Sequence, residues 1–186
     1  MLIKHQPIAT TSIRVLNTSS EIEAAQRLRF DVWQSEGVTV WSRQQKLIAD
    51  SHDDHAMHWG VFDKGAMVAA ARLCMHTEIS QAPDGEMFST VALPSPIASL
   101  NRLVVLRSHR GIGIGQMLDR ERIQSALALR AKCVICTPVN VLSRKRSLGE
   151  LGFQFLADVE GCSIWSSAVK ILACYMLADP TGKKME

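Results

Sequence analysis

At 186 residues the chain fits one domain and leaves no room for two full ones. Hydrophobic residues make up 47% and charged residues 21%, an ordinary globular mix that excludes a disordered, collagen-like or coiled-coil chain. The net charge of +3, from 21 Lys+Arg against 18 Asp+Glu, is too weak to argue for a nucleic-acid partner and fits an anion held at one local basic site.

No run reaches the ~18 apolar residues that a membrane-spanning helix needs, so no membrane partner is expected. Met1 to Pro7 has no long apolar stretch after Lys4, and no secretory signal is expected. The five cysteines then read as reduced thiols in a cytoplasm.

Residues 1–11 are polar and read as a loose arm. Ser12 to Leu16 alternates weakly, as a first strand would. Both Thr18…Glu21 and Ser20…Glu23 fit a capping box, and helix formers follow to about Gln34, with Gly37 as a stop. Residues 38–55 read as an irregular or partly helical loop. Met57–Phe62 and Ala66–Met75 form a hairpin around Asp63-Lys64-Gly65. Pro83, Asp84, Gly85, Pro94 and Pro96 mark residues 77–96 as a long surface loop.

Ile97–Leu106 is a strong strand, Gly111–Ala131 a helix opened by glycines, and Cys133–Thr137 a short apolar strand. Asn140–Leu151 is a helix ended by Gly152. Phe153–Val159 and Ser163–Met176 are two closing strands with a turn at Glu160-Gly161, and residues 178–186 read as a loose terminus. The order β-α-β-β-β-α-β-α-β-β predicts a single α+β domain over residues 1–186, built on a mixed sheet.

The richest stretch runs from Leu103 to Gln116: an apolar strand, the basic turn Arg107-Ser108-His109-Arg110, then Gly111, Gly113 and Gly115 opening a helix. Glycines let the backbone approach a ligand closely. The first amides of a helix lack internal partners and sit at the positive end of its dipole, so such a turn suits a phosphate. Two nucleotide motifs fail: no Lys-Ser/Thr follows as in a phosphate-binding loop of the Walker type, and Gln116 and Leu118 stand where a dinucleotide fingerprint needs a third glycine.

Arg110-Gly111-Ile112-Gly113-Ile114-Gly115 resembles the Arg/Gln-x-x-Gly-x-Gly/Ala signature of the GCN5-related N-acetyltransferase superfamily, and Leu151-Gly152-Phe153 resembles a later element of the same family. The resemblance implies the acyl-coenzyme A N-acyltransferase fold, a mostly antiparallel mixed sheet of about seven strands flanked by about four helices. It also implies acetyl-coenzyme A, or another acyl-coenzyme A, as co-substrate. The amides of Ile112 to Gln116 would take the pyrophosphate, and Leu103, Val104 and Val105 the pantetheine arm through their backbone. Arg110, Gly111, Gly113, Ile114 and Gly115 complete that loop. Asn140, Ser143 and Arg144 would contact the coenzyme from the following helix, as would Lys145 and Arg146. The reaction would be direct attack by a neutral amine on the thioester, with a backbone amide stabilising the oxyanion.

The sequence departs from the family at the general acid and base. Leu148 stands where many members carry a tyrosine, and the only tyrosine is Tyr175. The central polar residues of the fourth strand are Asn101 and Arg102 rather than a carboxylate. His58, His76 and Glu78 are therefore the candidate bases.

Asp50, His52, Asp53, Asp54, His55 and His58 fall within nine residues, open to three readings: a metal site, a cationic-amine site, or a polar loop packed on the first helix. No metal is expected. A second resemblance is to acyl-homoserine-lactone and N-acyl amino acid synthases, carried by the order Arg29-Phe30, Trp41, Asp50…Asp53, Arg72 and Phe88. Ser99 replaces the Glu expected three residues before Arg102. Phe30, Trp33, Asp53, Arg72 and Arg102 are the candidate substrate-binding residues on this reading. Cys133 and Cys136 lie three apart on a strand and point to opposite faces, which suits buried packing better than chelation.

The sequence thus reads as an N-acetyltransferase acting on a small-molecule amine, without nucleic-acid partner, and compatible with a homodimer. The alternatives are a synthase using longer acyl donors and a non-catalytic acyl-coenzyme A sensor.

Overall fold

The computed structural model describes residues 11–37, 46–163 and 166–178. Its elements follow the expected order: β1 Thr11–Val15, α1 Ser19–Ser35, β2 Met57–Asp63, β3 Ala66–His76, β4 Ile97–Val105, α2 Ile114–Ala128, β5 Cys133–Cys136, α3 Leu142–Glu150, β6 Gln154–Ser163 and β7 Ser166–Leu177. The expectations for residues 1–10, for residues 38–45 including Trp41, and for residues 179–186 lie outside the described residues.

Of the two capping boxes, Thr18 is the one used. Its hydroxyl accepts from the Glu21 amide at 3.3 Å, and the Glu21 carboxylate accepts from the Thr18 amide at 3.2 Å. Among the described residues there are three α-helices rather than about four. Between α1 and β2 lies a short 3-10 turn, Ser51–His55. Asp50 caps it by accepting from the His52 amide at 3.0 Å, the local bonding by which Asp favours turns over helix interiors.

The sheet has seven strands in the order β1-β2-β3-β4-β5-β7-β6. Every neighbouring pair is antiparallel except β4–β5. β3 is buried on both faces from Val68 to Cys74, and its alanines let helices approach from either side. One face packs Ala69, Ala71, Leu73 and Leu100 against Leu118, Ile123 and Ala126 of α2 and Leu148 of α3. The opposite face packs Ala70 and Val104 against Leu28 and Val32 of α1. Cys133 joins a cluster with Phe88 and Ala173, whereas Cys136 joins the α2 cluster, so the two thiols do face opposite ways.

Three expected boundaries move. The Glu160-Gly161 turn is instead paired strand, with Glu160 opposite Leu172 and Gly161 opposite Ile171. The glycine-opened helix begins at Ile114 rather than Gly111, because Gly111 (φ 79°) and Gly113 (φ 90°) hold left-handed backbone that a right-handed helix cannot use. The third helix begins at Leu142, with Val141 and not Asn140 next to its first turn.

Candidate active site

The irregularity that shapes the site is a bulge in β4. Asn101 pairs with Arg72 and Val104 with Ala70, so Arg102 and Leu103 together face the single residue Ala71. Arg102 takes a φ of 55°, a left-handed conformation costing on the order of 1–2 kcal/mol for a residue with a Cβ. Beyond the bulge the two central strands part. β4 and β5 are paired over Ile97–Leu100 and Cys133–Cys136 only. Where they part lies a shallow cleft lined by Pro83, Ser99, Leu100, Asn101, Ile135, Cys136 and Thr137. The separated edge of β4, with Leu103 and Val105 half-buried, leads to the glycine turn and the start of α2. The amides of Ile114, Gly115 and Gln116 precede the first helical hydrogen bond, Met117 to the Gly113 carbonyl at 3.0 Å.

On the α1 side of the sheet, five charged side chains form a network. Arg29 of α1 donates to Asp53 Oδ1 at 2.8 Å, and Arg72 of β3 donates to the same oxygen at 2.8 Å and to Asp50 Oδ1 at 2.5 Å. Arg102, at the bulge, donates to Asp50 Oδ2 through Nε at 3.1 Å and also through Nη2. Arg29 and Arg72 are fully buried, whereas the side chains of Asp50 and Arg102 stay 22% and 13% exposed and form the open end of the network. Burial alone would raise the Asp50 carboxyl, but the Arg72 hydrogen bond and the Arg102 charge outweigh it and hold Asp50 well below the usual carboxylate range. Asp53 is held down in the same way, with Arg29 the largest opposing partner to burial.

The network extends toward the cleft. Arg72 Nε donates to Asn101 Oδ1 at 2.5 Å, Asn101 Nδ2 donates to Ser99 Oγ at 2.9 Å, and Ser99 Oγ lies 2.8 Å from His76 Nε2. His76 is buried, and desolvation, with the positive surroundings of His52 and Arg72, pushes its imidazole down to about 4.

The other expected residues fall as follows. His58 is buried with both ring nitrogens engaged. Its Nδ1 lies 3.2 Å from Arg29 Nη2, which can only donate, so Nε2 carries the proton and donates to the Asp53 carbonyl at 3.1 Å. This corrects the expectation of His58 as a base: no lone pair faces the cleft. Glu78 is exposed at the foot of the turn Ile79–Gln81, with its carboxylate engaged by that turn, outside the network and the cleft lining. Phe30 is buried against Ile48, with Trp33 packed beside it; both support the segment leading to Asp50. The Val104 side chain packs toward α1. Arg110 donates to the Val105 carbonyl at 3.0 Å and pairs with Glu36 at 2.8 Å, clamping the turn to the end of α1. The Asn140 amide donates to the Lys170 carbonyl at 2.9 Å, and Ser143 is exposed in the first turn of α3.

Arg144 requires a second correction. Rather than pointing to solvent for a phosphate, it donates to both oxygens of Asp119, one of them at 3.0 Å. Asp119 also accepts from Arg122 Nη2 at 2.5 Å. Arg122 is fully buried and donates to the carbonyls of Arg72 at 3.0 Å and Asn101 at 3.2 Å, the cross-strand pair at one end of the bulge. Sequence reasoning missed this triad. The available signal was a charge on an apolar stripe, Leu118-x-x-x-Arg122-Ile123-x-x-Ala126.

The Asp/His stretch resolves into ion pairs and ring contacts. Asp50 and Asp53 face guanidiniums and His52 meets His76 edge-on at 6.0 Å. Among the described residues no group of three or more His, Cys, Asp or Glu side chains is placed to hold a metal ion.

A seven-stranded sheet of this order, parted between its parallel strands and followed there by a glycine-opened helix, defines the acyl-coenzyme A N-acyltransferase fold, and the chain is an acyltransferase. It belongs to the acetyltransferase (GNAT) family, whose model matches residues 19–153. Three solved structures share the fold. FeeM, an N-acyl amino acid synthase from uncultured soil microbes, is 11% identical with a TM-score of 0.67 over 90% of this chain and 89% of that one. BjaI, a coenzyme A-dependent acyl-homoserine lactone synthase, is 16% identical with a TM-score of 0.67 over 92% and 85%. The acetyltransferase of the GNAT family from Streptococcus pneumoniae is 15% identical with a TM-score of 0.60 over 91% and 99%. No curated protein matches the sequence.

Proposed function

We propose that the chain transfers an acyl group from acyl-coenzyme A to the amine of a small-molecule acceptor by direct attack. The observation that carries this reading is the parting of β4 from β5 after Leu100 and Cys136, with a cleft at the parting and the β4 strand continuing from it toward the glycine turn and α2. An extended amide-bearing arm pairs with such an edge as an added strand would. On this reading the backbone of Leu103 to Val105 holds the pantetheine, and the amides of Ile114, Gly115 and Gln116 hold the pyrophosphate. The bulge at Arg102 aims a backbone amide at the thioester carbonyl, fixed before the substrate arrives, which is the condition for oxyanion stabilisation. Asn140 and Ser143 flank the coenzyme from the α3 side, with Lys145 and Arg146 as its exposed cations.

The amine approaches from the open end of the charged network, where Arg102, held by Asp50, attracts an anionic group of the acceptor. The buried members, Arg29, Asp53 and Arg72, hold those two in place. A second reading, a synthase using longer acyl donors, is favoured by this same network. The residues Arg29, Asp50, Asp53, Arg72 and Arg102, noted in sequence order for their resemblance to such synthases, join in one chain of contacts.

The test is thiol release from acetyl-coenzyme A and from acyl-coenzyme A of increasing chain length, each with a panel of amines including amino acids. Turnover with any amine supports transfer over a sensor role, and preference for long donors selects the synthase. Thiol release no faster than hydrolysis with every donor and amine would refute the reading.

A further inference from the structure

We propose that Ser99 and His76 act as one proton-accepting unit: the attacking amine passes its proton to Ser99 Oγ while Ser99 passes its own to His76 Nε2. This rests on the acyl-transfer reading above. The amine nitrogen bonds to the thioester carbon, the C–S bond breaks, and the electron pair leaves with the coenzyme thiolate, which takes a proton from solvent. His76 ends as imidazolium and returns its proton to solvent after product leaves.

The direction of the chain follows from donor and acceptor inventory. Arg72 Nε can only donate, so the Asn101 atom it meets at 2.5 Å is the carbonyl oxygen, and the Asn101 amide nitrogen must face Ser99. Ser99 Oγ therefore accepts at 2.9 Å from Asn101, which leaves its own proton for His76 Nε2 at 2.8 Å. Arg72 cannot swing away, because Asp50 and Asp53 hold its other end. Ser99 is also a residue of the cleft lining, at the point where β4 and β5 are about to part, which puts the Ser99–His76 pair beside the space assigned to the thioester. A hydroxyl flanked by an imidazole, with a third group fixing the geometry, is the arrangement that moves protons in group transfer.

The groups facing His76 are His52 from the Ser51–His55 turn, Ser99 from β4, and Cys74 and Arg72 along its own strand, with Asp50 and Asp53 beyond Arg72. Burial, His52 and Arg72 keep the ring neutral and able to accept. A weak base suffices, because the nitrogen of the tetrahedral adduct is far more acidic than the free amine. In the synthase resemblance a Glu is expected at position 99; here the hydroxyl hands the proton on instead of keeping it.

Thiol release by Ser99→Ala, His76→Gln and the double variant tests the unit. Each single variant should lose on the order of 100-fold in kcat. The donor KM should stay within about threefold, and the double variant should be no slower than the slower single. Ser99→Thr, which keeps the hydroxyl, should recover most of the rate. Nitrogen-15 NMR of histidine-labelled wild-type protein at pH 7 should show His76 Nε2 unprotonated, and its shift should move in Ser99→Ala. A wild-type kcat in Ser99→Ala, or a double variant slowed by the product of the two single effects, overturns the unit and leaves acyl transfer standing. A protonated Nε2 at pH 7 overturns it whatever the turnover. Failure of the wild-type enzyme to release thiol with any amine overturns acyl transfer and this role together.

Discussion

Replacing Arg122 with Met tests how the β4 bulge is held. The side chain is fully buried and joins helix α2 to two strand carbonyls and to Asp119. Methionine fills most of the same volume, so the loss comes from hydrogen bonding. The Arg72 and Asn101 carbonyls each lose a donor, at about 1–3 kcal/mol per buried group, or roughly 2–6 kcal/mol together. Asp119 keeps Arg144 as a partner, so no carboxylate is stranded. For a chain of this length the melting temperature should fall by roughly 2–4 °C per kcal/mol. Asp119→Asn strands the Arg122 charge instead, at about 3–5 kcal/mol. In the Arg122→Met background the same change should cost much less, because Arg144 is 16% exposed and can turn to water. Urea denaturation of both single variants and the double should give a coupling between about 0.5 and 3 kcal/mol. An Arg122→Met protein within about 0.5 kcal/mol of wild type, the range of ordinary surface changes, would refute this account of the bulge, as would additive single effects.

Three further outcomes are expected. His76 is held at about 4 in the folded chain, whereas an unfolded histidine titrates near 6.5. The unfolded state therefore binds more protons between those values, so stability is whole above pH 6.5 and falls as the pH drops toward 4. The slope from this group is up to about 1.4 kcal/mol per pH unit, and His76→Gln should remove that part of it in denaturation curves; an unchanged slope would contradict the burial described. The Asp50 and Asp53 carboxylates, held low by their arginines, contribute stability that is present above about pH 4 and lost only on further acidification. At the glycine turn, Gly113→Glu places a carboxylate and a Cβ at φ 90° beside the first amides of α2. Calorimetry should show coenzyme A binding by wild type and none by the variant, with circular dichroism confirming that both are folded; retained affinity would exclude this turn as the diphosphate site.

The strand and helix order was legible because each element carries its own period and stop signal: Thr18 and Glu21 open α1, and the apolar run to Val105 meets a turn that only glycines can make. The misplaced turn at Glu160-Gly161 shows the limit. A Glu-Gly pair has local turn chemistry, yet pairing with Ile171 and Leu172 of β7 keeps it extended, and nothing local encodes that partner. The site divides in the same way. The order of Arg29, Asp50, Asp53, Arg72 and Arg102 was visible in the chain, but their mutual contacts depend on β3 and β4 placing alternate residues on the α1 side. Arg144 was misread because the face that α3 turns inward is decided by Asp119, 25 residues earlier. Ser99 registered only as a missing carboxylate; its value depends on His76 lying opposite in the neighbouring strand, 23 positions away.

The parallel seam between β4 and β5 is only four residue pairs long, and it is the sole sheet contact joining strands β1–β4 to β5–β7 among the described residues. Such a molecule resembles a clasp fastened at one end. Whatever lies along the open lips, bonded to both, splints the halves together, so occupancy should slow amide exchange on β4 and β5 and raise the unfolding temperature in step with concentration.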